Sequence, residues 1–199
     1  MDFNDLKARL ERTLSSLNAR FDEEVEEGIR ITHVQSDRSI GMSVRFGNDD
    51  TETILNKIFI ILHNLASLKD HLKKCLESKG HDPNIVETEI EGSLHLQVLI
   101  DIVNQEKHGY PLTKHVRSYK NPVIKDPKQA LRISTGTEPH SSARFIISPD
   151  GSYQIHGQKS IVIDADICDD QGNSLFGLDE LVDTCFAKWE NIAKKYICI

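Results

Sequence analysis

Two apolar runs with helical period, separated by five residues that cannot continue a helix, constrain this chain more than any other feature. From about Thr51 to Ser78, Ile54, Leu55, Ile58, Ile61, Leu62, Leu65, Leu68, Leu72 and Leu76 fall on one side of a helical wheel. Lys79-Gly80-His81-Asp82-Pro83 stops that helix, and Pro83 suits the first turn of a second one running to about His108, where Gly109-Tyr110-Pro111 ends it. So short a link predicts an antiparallel helical hairpin over 49–109.

The flanking segments change period. Phe3, Leu6, Leu10, Leu14, Leu17 and Phe21 form an apolar stripe, roughly 80° wide at 100° per residue, which predicts an N-terminal helix. That helix either docks on the body or pairs with a second copy. Ile29 to Phe46 alternates apolar with polar around Ser36-Asp37-Arg38-Ser39, the pattern of a β-hairpin. Tyr110 to Pro139 holds four prolines and few large apolar side chains, and is expected to be a long basic loop over 110–139 with room for short strands. Ala143–Ser148, Ser152–His156 and Ser160–Cys168 read as three strands of an antiparallel meander, and Leu178 to Tyr196 as an amphipathic helix, together filling 143–196. The expected fold is α+β in a single domain over 1–199.

Composition sets the function classes. With 199 residues, 38% of them hydrophobic and 28% charged, the chain can bury a core, and it carries no apolar run long enough for a membrane span. The first residues lack an apolar signal core, and Cys75, Cys168, Cys185 and Cys198 form no CxxC pair, so a cytoplasmic protein with reduced thiols is expected. The net charge of −7 is uneven. Lys107 to Arg132 holds seven basic residues against Asp126 alone, a net of +6 that leaves −13 for the remainder.

The second helix of the hairpin carries the chemistry worth testing. Apolar residues surround most of Leu94 to Asn104, yet Gln97, Asp101, Asn104 and His108 recur at i, i+4, i+7 and i+11, within roughly 60° of one another. A polar stripe on a buried helix needs partners. One reading makes Asp101, Asn104 and His108 a site, with His108 titrating near neutral pH and Lys107 neutralising a phosphate. The other makes Asp101 and Asn104 glue for a neighbouring loop and His108 an exposed residue in the final helical turn, favourable to its dipole.

Two further clusters stand beside it. Tyr110, Lys114, His115, Arg117, Tyr119 and Lys120 mix cations with aromatic rings, as a groove for single-stranded nucleic acid does; equally, the segment can neutralise the acidic C-terminal portion. Asp164, Asp166, Asp169 and Asp170 offer oxygen ligands on a turn, but their spacing matches no calcium loop, and turn aspartates commonly serve the backbone. The histidines show no zinc-ligand spacing, and there is no P-loop, GxGxxG or GxSxG, so neither a metal nor a cofactor is expected.

Asp101-x-x-Asn104-x-x-Lys107-His108-Gly109, at the end of two long antiparallel helices, resembles the HEPN group of helical proteins, and especially bacterial and phage members with an Asn-x-x-Lys-His stretch there. The resemblance covers roughly 49–109 and more loosely the C-terminal 60 residues, through the Asp-Gly turn and the final Trp-containing helix. It implies a homodimer with a shared cleft, RNA or a nucleotide as partner, and His108 as the motif histidine. Catalytic HEPN ribonucleases also place an Arg before that histidine, with four to six residues between the two. Those positions are Val103, Ile102 and Asp101 here. A carboxylate in place of the cation opposes a scissile phosphate, so binding without cleavage is the expectation. The alternative is a non-enzymatic interaction or oligomeric structural protein of phage or bacterial origin.

Overall fold

A computed structural model describes residues 8, 9, 11, 12, 29–36, 39–113, 116–134, 143–150 and 152–197. The elements, in order, are β1 (Ile29–Ser36), β2 (Ser39–Phe46), α1 (Thr51–Ser78), α2 (Asn84–Glu91), α3 (Leu94–His108), β3 (Val123–Ser134), β4 (Arg144–Ile147), β5 (Tyr153–His156), β6 (Gln158–Cys168), β7 (Ser174–Gly177) and α4 (Leu178–Ile192), which runs into a π-helical turn over Ala193–Ile197. The fold is α+β. It divides into two compact units, one of Met1–Leu17, Leu55–Pro127 and Asp164–Ile199, the other of Asn18–Ile54 and Lys128–Ile163. Most of the expected N-terminal helix lies outside the described residues; Ala8, Arg9, Glu11 and Arg12 are helical.

In the helical unit the apolar period of α1 becomes its buried face. Ile58, Leu62, Leu65, Leu68, Leu72 and Leu76 are all at most 1% exposed. The helix begins where the Asp50 carboxylate accepts the Thr53 N–H at 2.7 Å, a bond that also holds Asp50 below the usual carboxylate range. It ends in a left-handed turn at Gly80 (φ +77°), where the His81 N–H donates to the Leu76 carbonyl and the Gly80 N–H to the Glu77 carbonyl. That pair of bonds satisfies the last carbonyls of the helix and turns the chain toward α2.

The single helix expected from Pro83 to His108 is two. Gly92 and Ser93 break it: Ser93 is extended and buried, and its hydroxyl faces the Leu96 N–H at 3.5 Å as the cap of α3. Glycine is a poor helix former and serine a good cap, and here they outweigh the continuous apolar pattern. α3 is buried on nearly every side, through Leu96, Val98, Leu99, Ile100, Ile102 and Val103, and α4 packs against it with Trp189 fully buried.

The expected loop over 110–139 contains β3, twelve residues long. Its prolines hid it, yet strand order β3-β6-β7 puts β3 at an edge, where Pro127 sacrifices no necessary ladder bond. The expected three-strand meander is likewise redistributed. β4 and β5 pair as an antiparallel hairpin, after which the chain turns at Gly157 (φ +106°) and β6 joins the other sheet. There it pairs antiparallel with β7, four residues too short to show a period. In the second unit β1 and β2 pair in register from Ile29 opposite Phe46 to Ser36 opposite Ser39. Buried Ile29 and Ile161 centre a small core that Phe46, Phe145 and Tyr153 surround.

Two variants, one just past α1 and one within it, separate backbone strain from core loss. A Cβ at Gly80 meets no atom within 4 Å, so Gly80→Ala is expected to cost only the left-handed conformation, about 1–2 kcal/mol in urea unfolding. Leu65→Ala empties a fully buried site and is expected to cost about 2–5 kcal/mol.

Candidate functional site

The residues of the polar stripe on α3 meet different surroundings. The Gln97 amide donates to the Glu91 carbonyl at 2.7 Å, satisfying an end group of α2. Asp101 is fully buried, and its carboxylate accepts four hydrogen bonds from the segment after α3: the Arg117 N–H at 2.9 and 3.2 Å, the Ser118 N–H at 2.8 Å and the Ser118 hydroxyl at 2.6 Å. A buried carboxylate is tolerable because donors surround it, and those donors occupy it. Asp101 is therefore glue for a neighbouring loop. Asn104 is half-buried, whereas Lys107 and His108 are exposed in the last turn, ahead of the Gly109 cap.

The basic segment is substantially committed to its own chain. Arg117 donates through Nη1 to Glu87 Oε2 at 2.8 Å, and Lys73 bonds the other oxygen of the same carboxylate. Partial burial pushes Glu87 up, but the hydrogen bonds and charges of Lys73 and Arg117 outweigh it and leave the carboxyl below its usual range. The Lys120 carbonyl accepts the Asp170 N–H at 3.2 Å, and the Asn121 amide donates to the Asp170 carboxylate at 3.3 Å. The neighbouring Asp169 is held low by the Asn173 amide, by the backbone N–H groups of Asn173 and Gln171, and by the Lys120 charge. The turn aspartates thus serve the backbone and meet the basic segment. Among the described residues no group of three or more His, Cys, Asp and Glu side chains is placed to hold a metal ion. Tyr119 is 85% exposed at φ +57°, and Tyr110 is 52% exposed; Lys114 and His115 lie outside the described residues.

What remains of the expected site gathers at a polar groove of about 370 Å³ between α1 and α3. Asn104 and Lys107 line it from α3; His63, Asn64, Ser67 and Lys69 line it from α1. The His63 ring meets the Glu106 carboxylate at 3.0 Å, and Lys69 lies 3.8 Å from Asp70, which also lines the groove. A second recess, of about 180 Å³, shares Asn64 and Ser67 and is lined by Arg9 and Arg12. Partial burial and the charges of Arg9, Lys74 and Arg12 push His71 below its ordinary value, despite the opposing charge of Asp70.

His108 is not among the groove residues, so Asn104 and Lys107 are brought together with α1 and not with Asp101 or His108. The α1 side of the groove, which includes His63 and Asp70, is not among the sites that the sequence pattern singles out. Their i, i+7 spacing, with Ser67 between, is the same signal as on α3. Compared with family models, with curated proteins and with solved structures, the chain matches none.

Two outcomes follow from this geometry. Asp101→Ala leaves the 117–118 backbone without its acceptor, so trypsin is expected to cut after Arg117 and Lys120 several times faster than in the wild type, read by mass spectrometry of timed digests. Glu87 has a folded pKa below its unfolded one. It therefore contributes stability at neutral pH that is lost as pH falls through the lowered folded value. The urea-unfolding difference between wild type and Glu87→Gln is expected to be about 1 kcal/mol or more at pH 7 and to shrink below the ordinary glutamate range.

Proposed function

We propose that this chain is a HEPN-like binder of a phosphate-bearing ligand, RNA or a nucleotide, seated in the groove between α1 and α3 and not cleaved there. The observation that carries the reading is the convergence of Lys107 and Asn104 with Lys69, Asn64 and His63 on one polar groove. Lys107 is exposed at that groove, whereas Arg117 is committed to Glu87. A phosphate between Lys69 and Lys107 would gain two cations, and the amides of Asn64 and Asn104 can donate to phosphate oxygens or to a base edge.

The same geometry argues for binding over cleavage. Asp101 is occupied by loop N–H groups, His108 stands apart from the groove lining, and no arginine precedes it at the motif spacing. The groove volume falls within the range of small-ligand sites, about 300–1,000 Å³. Among the described residues, Cys75, Cys168 and Cys185 are free, buried thiols, and no helix is long and apolar enough to cross a membrane. The free thiols are compatible with a reducing cytoplasmic setting.

A fluorescein-labelled uridylate decamer, followed by anisotropy across a salt series, tests this. The double variant Lys69→Glu/Lys107→Glu is expected to weaken binding by about tenfold or more and to flatten the log K against log salt slope by about 1.4, for two lost phosphate contacts. An unchanged affinity would remove the groove as the site. The RNA is expected to stay intact; scission that His108→Ala abolishes would overturn the non-catalytic half of the reading.

A further inference from the structure

The recess beside the polar groove has a chemistry of its own. It holds about 180 Å³ and is lined by Arg9 and Arg12 together with Asn64, Ser67 and Leu68 of α1, and Asn64 and Ser67 also line the groove. Both recesses belong to the helical unit. Arg9 and Arg12 stand three residues apart on one face of their helix, and Glu11 falls roughly 130° from their midpoint. Among the described residues neither arginine pairs with a carboxylate, and Arg12 donates only its Nε, to the Ala8 carbonyl at 3.2 Å. After partial burial, the charge of Arg9 does most to hold His71 low, with Lys74 and Arg12 acting in the same sense and Asp70 opposed. The two guanidiniums therefore stand near the α1 strip of Asn64, Ser67 and His71. Between groove and recess, the Ser67 hydroxyl donates to the Asn64 carbonyl at 2.7 Å. Its proton is thereby spent, and toward a ligand Ser67 Oγ is an acceptor.

We infer that this recess is a second phosphate subsite, and that the ligand of the groove is a single-stranded oligonucleotide laid across α1, with one phosphate between Lys69 and Lys107 and another at Arg9 and Arg12. The inference rests on the phosphate-binding reading of the groove and extends it. The recess is smaller than the sites of whole small ligands, about 300–1,000 Å³, and suits a single phosphate group. Arginine grips such a group through paired N–H donors. The wall shared by the two recesses is polar but uncharged. An accepting Ser67 Oγ suits a ribose hydroxyl or a base N–H and not a phosphate oxygen, and the Asn64 amide can serve a base edge. A nucleoside flanked by two phosphates matches that order of groups. A polyphosphate chain, with its charge contiguous, does not.

Uridine triphosphate and a 5′-phosphorylated uridylate trimer carry similar charge but space their phosphates differently, and both can be followed by ¹H–¹⁵N NMR titration of the full chain across a salt series. The triphosphate is expected to shift the amides of Asn104 and Lys107. The trimer is expected to shift these and also Arg12 and Leu68, and to bind the more tightly. Arg9→Gln/Arg12→Gln is expected to weaken the trimer by about fivefold or more and to flatten its log K against log salt slope by about 0.7, for one lost phosphate contact. The triphosphate is expected to bind that variant as it binds the wild type, which also shows that the groove is intact. Trimer shifts confined to Asn104 and Lys107 overturn the second subsite and leave the groove standing. Equal weakening of both probes in the glutamine variant overturns it too, since the arginines would then act as diffuse charge. Shifts at Arg12 and Leu68 with none at Asn104 and Lys107 remove the groove reading itself, and the two-recess ligand with it.

Discussion

The Asp101 carboxylate organises the segment that follows α3. By accepting the N–H groups of Arg117 and Ser118 and the Ser118 hydroxyl, it supplies a partner for backbone that has neither helix nor ladder to bond with. Arg117 is then held twice, through its N–H by Asp101 and through its guanidinium by Glu87. Tyr119 and Asn121 adopt left-handed conformations that side chains beyond glycine resist, and a segment fixed so firmly just before them can sustain that cost. From there the chain reaches Asp170, whose N–H and carboxylate meet Lys120 and Asn121, and so the acidic turn that leads into β7 and α4 is tied to the same segment.

The electrostatics of the helical unit follow from that arrangement. Glu87, on a short helix of eight residues, collects Lys73 from α1 and Arg117 from the segment after α3. Three parts of the chain distant in sequence therefore share one carboxylate. Such pairs contribute most where water is partly excluded, and Glu87 is three-quarters buried. Two other cations, Lys107 and Lys69, the latter 3.8 Å from Asp70, line the polar groove. The uneven charge of the sequence thus separates into two populations, one that closes the fold and one that faces outward.

How much of this could be read in advance depended on how local its cause was. The α1 stripe, the β1–β2 alternation and the final amphipathic helix are written in period alone, and Gly80 stands two residues past the end of α1. The break at Gly92-Ser93 is also local, but it lies inside a continuous apolar run whose longer pattern masked it. β3 was hidden because Pro127 and its cations argue against a central strand, and only its place at a sheet edge reconciles them. The stripe on α3 was visible as polar, whereas its fate was not. Asp101 finds its donors 16 and 17 residues later, and Glu106 finds His63 43 residues earlier. No spacing rule spans such separations, so a candidate site built from one helix joined residues that tertiary structure assigns to different tasks.

The edge position of β3 also bears on the company the molecule keeps. An open strand edge is a template on which a second chain can add its own strand, and long, flat, uncharged edges are where folded proteins begin to aggregate. Along β3 that template is interrupted. Pro127 offers no N–H, Asp126 before it is twisted into the left-handed region at φ +49°, and Lys125, Lys128 and Arg132 stand exposed along the strand. A copy approaching with the same sequence would set like charges against like and find a gap in the ladder. Much of the basic charge that looked like an invitation to nucleic acid can thus be understood as a barrier against self-templated growth.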